Sequence, residues 1–134
     1  MASVTIRFGG YQPPASVHSR ASIVLGDALG DAVDFELVPN VIDQGRKAAD
    51  LLTMVGSGEL TMCYFSSSYL ADWVPEFALL DLPFVITARD QAYGVLDGEL
   101  GALLADKLAA ASGFRLLGFW DNGFRHFSNR VRPI

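Results

Sequence analysis

Two hydrophobic periods alternate along the first half of the chain, and their order restricts the fold more than any other feature. Val4-Thr5-Ile6-Arg7-Phe8 alternates at period two and is rich in β-branched residues, so it predicts a strand stopped by Gly9-Gly10. Ser16 is then a candidate cap for a helix whose apolar face is Val17, Ala21, Val24, Leu25 and Ala28. Phe35 and Leu37 mark a second strand that ends at Pro39. Asp43 is a candidate cap for a second helix with Ala48, Leu51, Leu52 and Val55 on one face, ended by Gly56-Ser57-Gly58. Leu60, Met62, Cys63, Tyr64 and Phe65 make a third strand, apolar enough to be central and covered on both faces. Strand, helix, strand, helix, strand predicts an α/β fold, a mostly parallel sheet flanked by helices.

The second half reads as helices followed by strands. Leu79-Leu80-Asp81-Leu82-Pro83-Phe84-Val85-Ile86 carries a proline in its middle and predicts an extended, buried connection rather than a central strand. Helices are expected over 89–96 and 99–111, the latter with Leu100, Leu103, Leu104, Leu108 and Ala111 on one face and Gly113 as its C-terminal cap. Residues 114–120 predict a fourth strand, and 124–128 are again strand-like. Between them Asp121-Asn122-Gly123 either closes a hairpin or bends a chain leaving the domain.

At 134 residues the chain is of ordinary single-domain length. Its residues are 51% hydrophobic, so either the core is unusually apolar or part of that surface packs against something further. The net charge of −5 argues against general nucleic-acid binding, which needs a basic face. Charge is uneven, however. From Gly113 onward Arg115, Arg125, Arg130 and Arg132 face a single acid, Asp121, which suits a local anion site or an ordinary charged surface. No apolar run has the length to span a bilayer, so direct membrane insertion is not expected, and no signal peptide is seen in this chain.

Catalytic patterns are missing: no phosphate loop, no Gly-x-Gly-x-x-Gly and no Gly-x-Ser-x-Gly. The two histidines, His18 and His126, have no metal or triad spacing and read as packed or surface groups. Asp43, Asp50, Asp81 and Asp121 occur singly. The one cysteine, Cys63, lies in an apolar run and reads as a buried structural thiol. No catalytic residue, metal site or cofactor is expected. Ser66-Ser67-Ser68 follows the third strand, where open α/β sheets bind ligands; the hydroxyls either receive an anion there or cap a helix running through Trp73.

The run from Leu117 to Asn129, with Trp120-Asp121-Asn122-Gly123-Phe124-Arg125 at its centre, resembles a segment of the substrate-binding proteins of tripartite ATP-independent periplasmic (TRAP) transporters, the DctP type. Gly9-Gly10-Tyr11-Gln12-Pro13-Pro14, Val55-Gly56-Ser57-Gly58-Glu59-Leu60 and Leu80-Asp81-Leu82-Pro83-Phe84-Val85 agree with that family in order. The resemblance implies a two-lobed protein, with a carboxylate held between the lobes. Residues 1–134 would then be the N-terminal part of lobe I, ending on the first crossover strand, with lobe II, the return segment and the family's principal carboxylate-binding arginine absent.

The same resemblance implies a solute-binding component that captures a small organic acid for uptake, is not an enzyme, works in the periplasm and hands its ligand to TRAP membrane subunits. It assigns ligand contacts to Arg125 and Asn122, and to Ser66 and Tyr69 after the third strand. Sialate binders of the family carry a Glu and an Arg at the latter two positions, so sialate is disfavoured. Tyr11, Ser66, Tyr69 and Trp120 would form a wall of aromatics and hydroxyls suited to a small aromatic or sugar acid; each aromatic has core packing as its alternative. Two other readings stand beside this one: a truncated piece with no activity of its own, and a small α/β enzyme acting on an organic acid.

Overall fold

The computed structural model describes residues 4–126 and 130–131. The chain divides into two compact units, Met1–Asp81 and Leu82–Ile134.

The first unit is built on a parallel sheet of β1 (Val4–Gly9), β2 (Val33–Val38) and β3 (Met62–Cys63), in the order β2-β1-β3. β1 and β2 pair in parallel along their full length, from Val4 opposite Val33 to Gly9 opposite Val38. β3 pairs in parallel with the end of β1, Phe8 opposite Met62 and Gly9 opposite Cys63. The α/β class and the parallel sheet are as the sequence predicts. The position of β3 is not: among the described residues it is a two-residue edge strand, and β1 is central. The apolar run around it is used differently. Leu60 enters the core at 3% exposure, while Tyr64 and Phe65 turn into an aromatic cluster beyond the strand.

Helix α1 (Val17–Leu29) begins where expected, with Ser16 Oγ accepting the Ser19 amide at 3.1 Å. Its buried face is not the predicted one. Val17 and Val24 are 57% and 65% exposed, whereas Ser19 and Ser22 are fully buried. Both hydroxyls are satisfied locally. Ser19 Oγ donates to the Pro13 carbonyl at 3.0 Å, and Ser22 Oγ to the His18 carbonyl at 2.9 Å. With its polar groups paired, this small face can approach the sheet closely. A Cβ on Gly26 would lie 2.5 Å from the Phe35 ring. Close approach has outweighed apolar periodicity.

The second predicted helix starts late. Asn40, not Asp43, caps a single 3-10 turn, Val41–Gln44, which Gly45 ends at φ 76°. Helix α2 (Asp50–Gly56) then begins as the Asp50 carboxylate accepts the Lys47 amide at 2.8 Å. It buries Leu51 and Met54 against Val41 and Leu60, forming the core of the unit. The expected helix through Trp73 is likewise only a 3-10 turn, Ser67–Leu70, followed by a second 3-10 segment, Pro75–Asp81, whose Phe77 is fully buried.

The second unit opens with the 82–85 segment, which is a turn and not a buried extended connection. The Val85 amide donates to the Leu82 carbonyl at 3.4 Å, and Phe84 takes the left-handed conformation at φ 64° with 87% of its surface exposed. Pro83 explains the outcome: its fixed φ suits the second position of a turn whose third position requires positive φ. Helices α3 (Arg89–Leu96) and α4 (Glu99–Ser112) follow as predicted. α4 buries Gly101, Leu104 and Leu108, while Leu103 is half-exposed; Gly113 ends it in the left-handed conformation, its amide donating to the Ala109 carbonyl at 2.9 Å.

The predicted fourth strand, 114–120, forms no ladder, nor do residues 124–126, and residues 127–128 of the last strand-like stretch lie outside the described residues. A strand exists only through a pairing partner, and among the described residues none pairs with this stretch. Among the described residues no hairpin pairs across 121–123 either, which leaves the alternative of a bend. Its Asn-Gly turn is instead closed from within by Asp121. Part of the apolar composition is not consumed by either core, since Leu117 is 72% exposed. Among the described residues no helix is long and apolar enough to cross a membrane.

Candidate functional site

The six residues expected to touch a ligand fall into two groups of three. Tyr11, Ser66 and Tyr69 belong to the first unit; Trp120, Asn122 and Arg125 lie on one stretch of the second.

In the first unit the loops after β1, β2 and β3 leave the carboxyl edge of the sheet together. The loop after β1 turns onto the loop after β2: the Gly10 amide donates to the Val38 carbonyl at 2.8 Å, the Val41 amide to the Gly10 carbonyl at 2.9 Å, and Tyr11 bridges to Asn40. Gly10 permits this approach, because a Cβ there would stand 2.6 Å from the Pro39 carbonyl and 2.7 Å from the Tyr64 ring.

Tyr64, which the sequence reading did not single out, is the centre of the resulting cluster. Its ring lies 5.2 Å from Tyr11 and 5.1 Å from His18, centroid to centroid, and its hydroxyl accepts the Tyr11 amide at 3.3 Å. Burial pushes the Tyr64 phenol above its ordinary value, with the bonds it receives acting in the opposite direction. Phe65 carries the wall onward, 6.1 Å from Tyr11 and 4.7 Å from Tyr69. Tyr11 and Tyr69 thus share a cluster through Phe65, with Tyr69 half-exposed. The signal for Tyr64 was present in Gly10, which clears space for a large neighbour.

Ser66 immediately precedes its 3-10 turn, at the capping position, but makes no capping bond; its hydroxyl lies 3.0 Å from that of Ser68. The two hydroxyls precede Tyr69 in the chain and can each donate or accept hydrogen bonds. Cys63 is half-buried beneath this edge, and loss of solvent pushes its thiol up to about 11, as fits a structural cysteine.

In the second unit the stretch carrying Trp120, Asn122 and Arg125 is organised by Asp121. Its Oδ2 accepts Arg89 Nε at 2.8 Å and the Tyr93 hydroxyl at 2.7 Å, and its Oδ1 accepts the Gly123 amide at 2.5 Å. The Tyr93 hydroxyl bond, the Gly123 amide and the Arg89 guanidinium together hold the carboxyl below its usual range. The same hydroxyl bond to Asp121 raises the Tyr93 phenol. Arg89 also lies over the Phe124 ring, 5.2 Å from its centroid. Asn122 and Arg125 are exposed, and Trp120 is 44% exposed. The sequence reading treated Asp121 as an isolated acid. Its Asp-x-Gly spacing is the signal for a side chain that closes its own turn.

Chemically, these groups can stack, donate hydrogen bonds and pair with an anion. Among the described residues no group of three or more His, Cys, Asp or Glu could hold a metal ion. A parallel sheet with aromatic and hydroxyl groups at its carboxyl ends defines an open α/β fold, the class that receives ligands at that edge. Residues 29–134 match the DctP model, described as bacterial extracellular solute-binding protein, family 7, and the chain belongs to that family. It is similar over its whole length to a TRAP periplasmic solute-binding protein from Sulfurospirillum deleyianum, solved with bound succinate, at 31% identity and a TM-score of 0.80, covering 44% of that chain. It is 26% identical, over all of its length and 41% of the relative, to the 2,3-diketo-L-gulonate-binding periplasmic protein YiaO of Escherichia coli. It is 35% identical over 72% of its length to the C4-dicarboxylate-binding periplasmic protein DctP of Rhodobacter capsulatus, covering 28% of that protein. The chain therefore spans less than half the length of these relatives.

Proposed function

We propose that this chain is the N-terminal part of lobe I of a periplasmic solute-binding protein, which captures a small organic acid and delivers it to TRAP membrane subunits. The observation that carries this reading is the match along the whole chain to a succinate-bound TRAP solute-binding protein. Arg125 supplies a guanidinium for the ligand carboxylate, a pairing that is bidentate and strong where water is excluded. Asn122 and the Ser66 hydroxyl offer further hydrogen bonds, and Tyr11, Tyr69 and Trp120 offer ring faces. The ligand class is a dicarboxylate or a sugar acid, in keeping with the names of the relatives and with the aromatic and hydroxyl groups gathered after β1 and β3. Enzymatic turnover forms no part of this reading.

The test is calorimetric titration with succinate and 2,3-diketo-L-gulonate, with glucose as a neutral control. Heat of binding for an acid and none for glucose is expected. Binding of glucose alone would overturn the proposal. A second reading follows from the chain's share of its relatives' length: residues 1–134 by themselves bind acids weakly or not at all. Tight binding by a monomer of 134 residues would exclude it.

A further inference from the structure

The contacts of Asp121 extend beyond ligand recognition, because none of its partners is one of the expected ligand residues. Arg89 and Tyr93 are four positions apart on α3 and so lie on one face of that helix. Both reach Asp121 Oδ2, leaving Oδ1 for the Gly123 amide. An arginine in the first turn of a helix sits at the unfavourable end of the macrodipole, so helix stability alone does not account for Arg89. A carboxylate placed beside that turn offsets the cost, and here it comes from residue 121. Arg89 also covers Phe124, so one guanidinium bears on both ends of the four residues 121–124. Gly123, at φ 84°, supplies the backbone conformation that brings its amide back onto Asp121. Arg125 is the next residue along.

We infer that Asp121, gripped by Arg89 and Tyr93 of α3, is a positioning latch that fixes the turn from which Arg125 projects, so that the guanidinium is set before ligand arrives. This rests on the reading of Arg125 as a ligand contact. An exposed ion pair alone contributes little. Three bonds into one carboxylate together with a ring contact, all falling on four successive residues, act mainly by removing alternative backbone geometries. Preorganisation of this kind shows in affinity, because displacing a charged contact by about 1 Å can cost a large factor.

The experiment pairs hydrogen exchange with succinate titration of the full chain. Asp121→Ala should speed amide exchange at 122–126 by about tenfold or more while the amides of α4 stay as they were, since opening there is local. It should weaken succinate binding by about tenfold, and Tyr93→Phe, which removes one hydroxyl, by roughly two- to threefold. In an Arg125→Ala background, Asp121→Ala should weaken binding no further, because a residue acting through Arg125 is non-additive with it. Unchanged exchange at 122–126, or full additivity with Arg125→Ala, overturns the latch. If Arg125→Ala leaves affinity intact, the ligand reading falls and the latch's role in binding falls with it; if the unaltered chain binds no succinate, the exchange arm alone decides, and unchanged exchange at 122–126 in Asp121→Ala overturns the latch. If Arg125→Ala weakens binding and Asp121→Ala does not, only the latch falls. Should Asp121→Ala fail to fold, the Tyr93→Phe arm decides in the same way.

Discussion

The imidazole of His18 stacks on the phenol ring of Tyr64, with centroids 5.1 Å and planes 24° apart. This joins the second residue of α1 to the residue just after β3. It also places Tyr64 between His18 and Tyr11, whose ring is 5.2 Å away on the loop after β1. Replacing Tyr64 with Phe keeps the stacking and removes the acceptor of the Tyr11 amide. A loss of about 1 kcal/mol is expected in urea unfolding. Tyr64→Ala removes the ring as well and should cost about 3 kcal/mol.

Gly10 carries a different constraint. The Cβ of an alanine there would strike a backbone carbonyl on one side and the Tyr64 ring on the other. The carbonyl belongs to the paired loop and cannot yield cheaply. Gly10→Ala should therefore destabilise by about 2 kcal/mol, read by thermal unfolding. It should also change the near-ultraviolet circular dichroism, because the tyrosine cluster shifts.

The Ser16 cap predicts a smaller effect. Its Oγ accepts the Ser19 amide, and Ser16→Ala should cost about 1 kcal/mol, with Ser16→Asp close to neutral. Chemical denaturation separates the two.

Cys63 should be a slow nucleophile. With its thiol pushed up to about 11 from an ordinary 9.0, the thiolate fraction at pH 8 falls by about a hundredfold. Iodoacetamide should label the folded chain far more slowly than the urea-unfolded one. The linkage sign follows from a raised value: the contribution to stability is full below the unfolded value and is lost as pH rises from about 9 through about 11. Cys63→Ser should flatten that alkaline decline.

Asp121 titrates in the opposite sense. Its lowered value means that it favours the folded unit above the ordinary carboxylate value of 3.8, and that this contribution is lost as pH falls through the depressed folded value. Amide exchange at 122–126, corrected for its intrinsic pH dependence, should rise in that acid window. The rise should be absent in Asp121→Asn.

The sequence disclosed the α/β class, the cap at Ser16, both helices of the second unit and the Gly113 terminator, because each depends on local chemistry or on a long period. It misassigned whatever depends on a partner. α1 presents Ser19 and Ser22 inward since paired hydroxyls and Gly26 allow a closer fit to Phe35 than valines would. Residues 114–120 have strand composition, yet pairing is a property of two segments and cannot be read from one. That Tyr11, Ser66 and Tyr69 follow strands at the carboxyl edge of the sheet was legible from the strand order. Tyr64 and Asp121 left only local traces, in Gly10 and in the Asp-x-Gly spacing, since their importance lies in what converges on them from residues remote in sequence.

The register of the sheet has an architectural consequence. Gly9 is level with Val38 on one side and with Cys63 on the other, so all three strands terminate on a common line. Whatever grows from that line begins at the same height. Lengthening or recomposing one loop alters its own reach without raising or lowering its neighbours. A sheet arranged in this way can have its rim edited one loop at a time, while the foundation beneath stays unchanged.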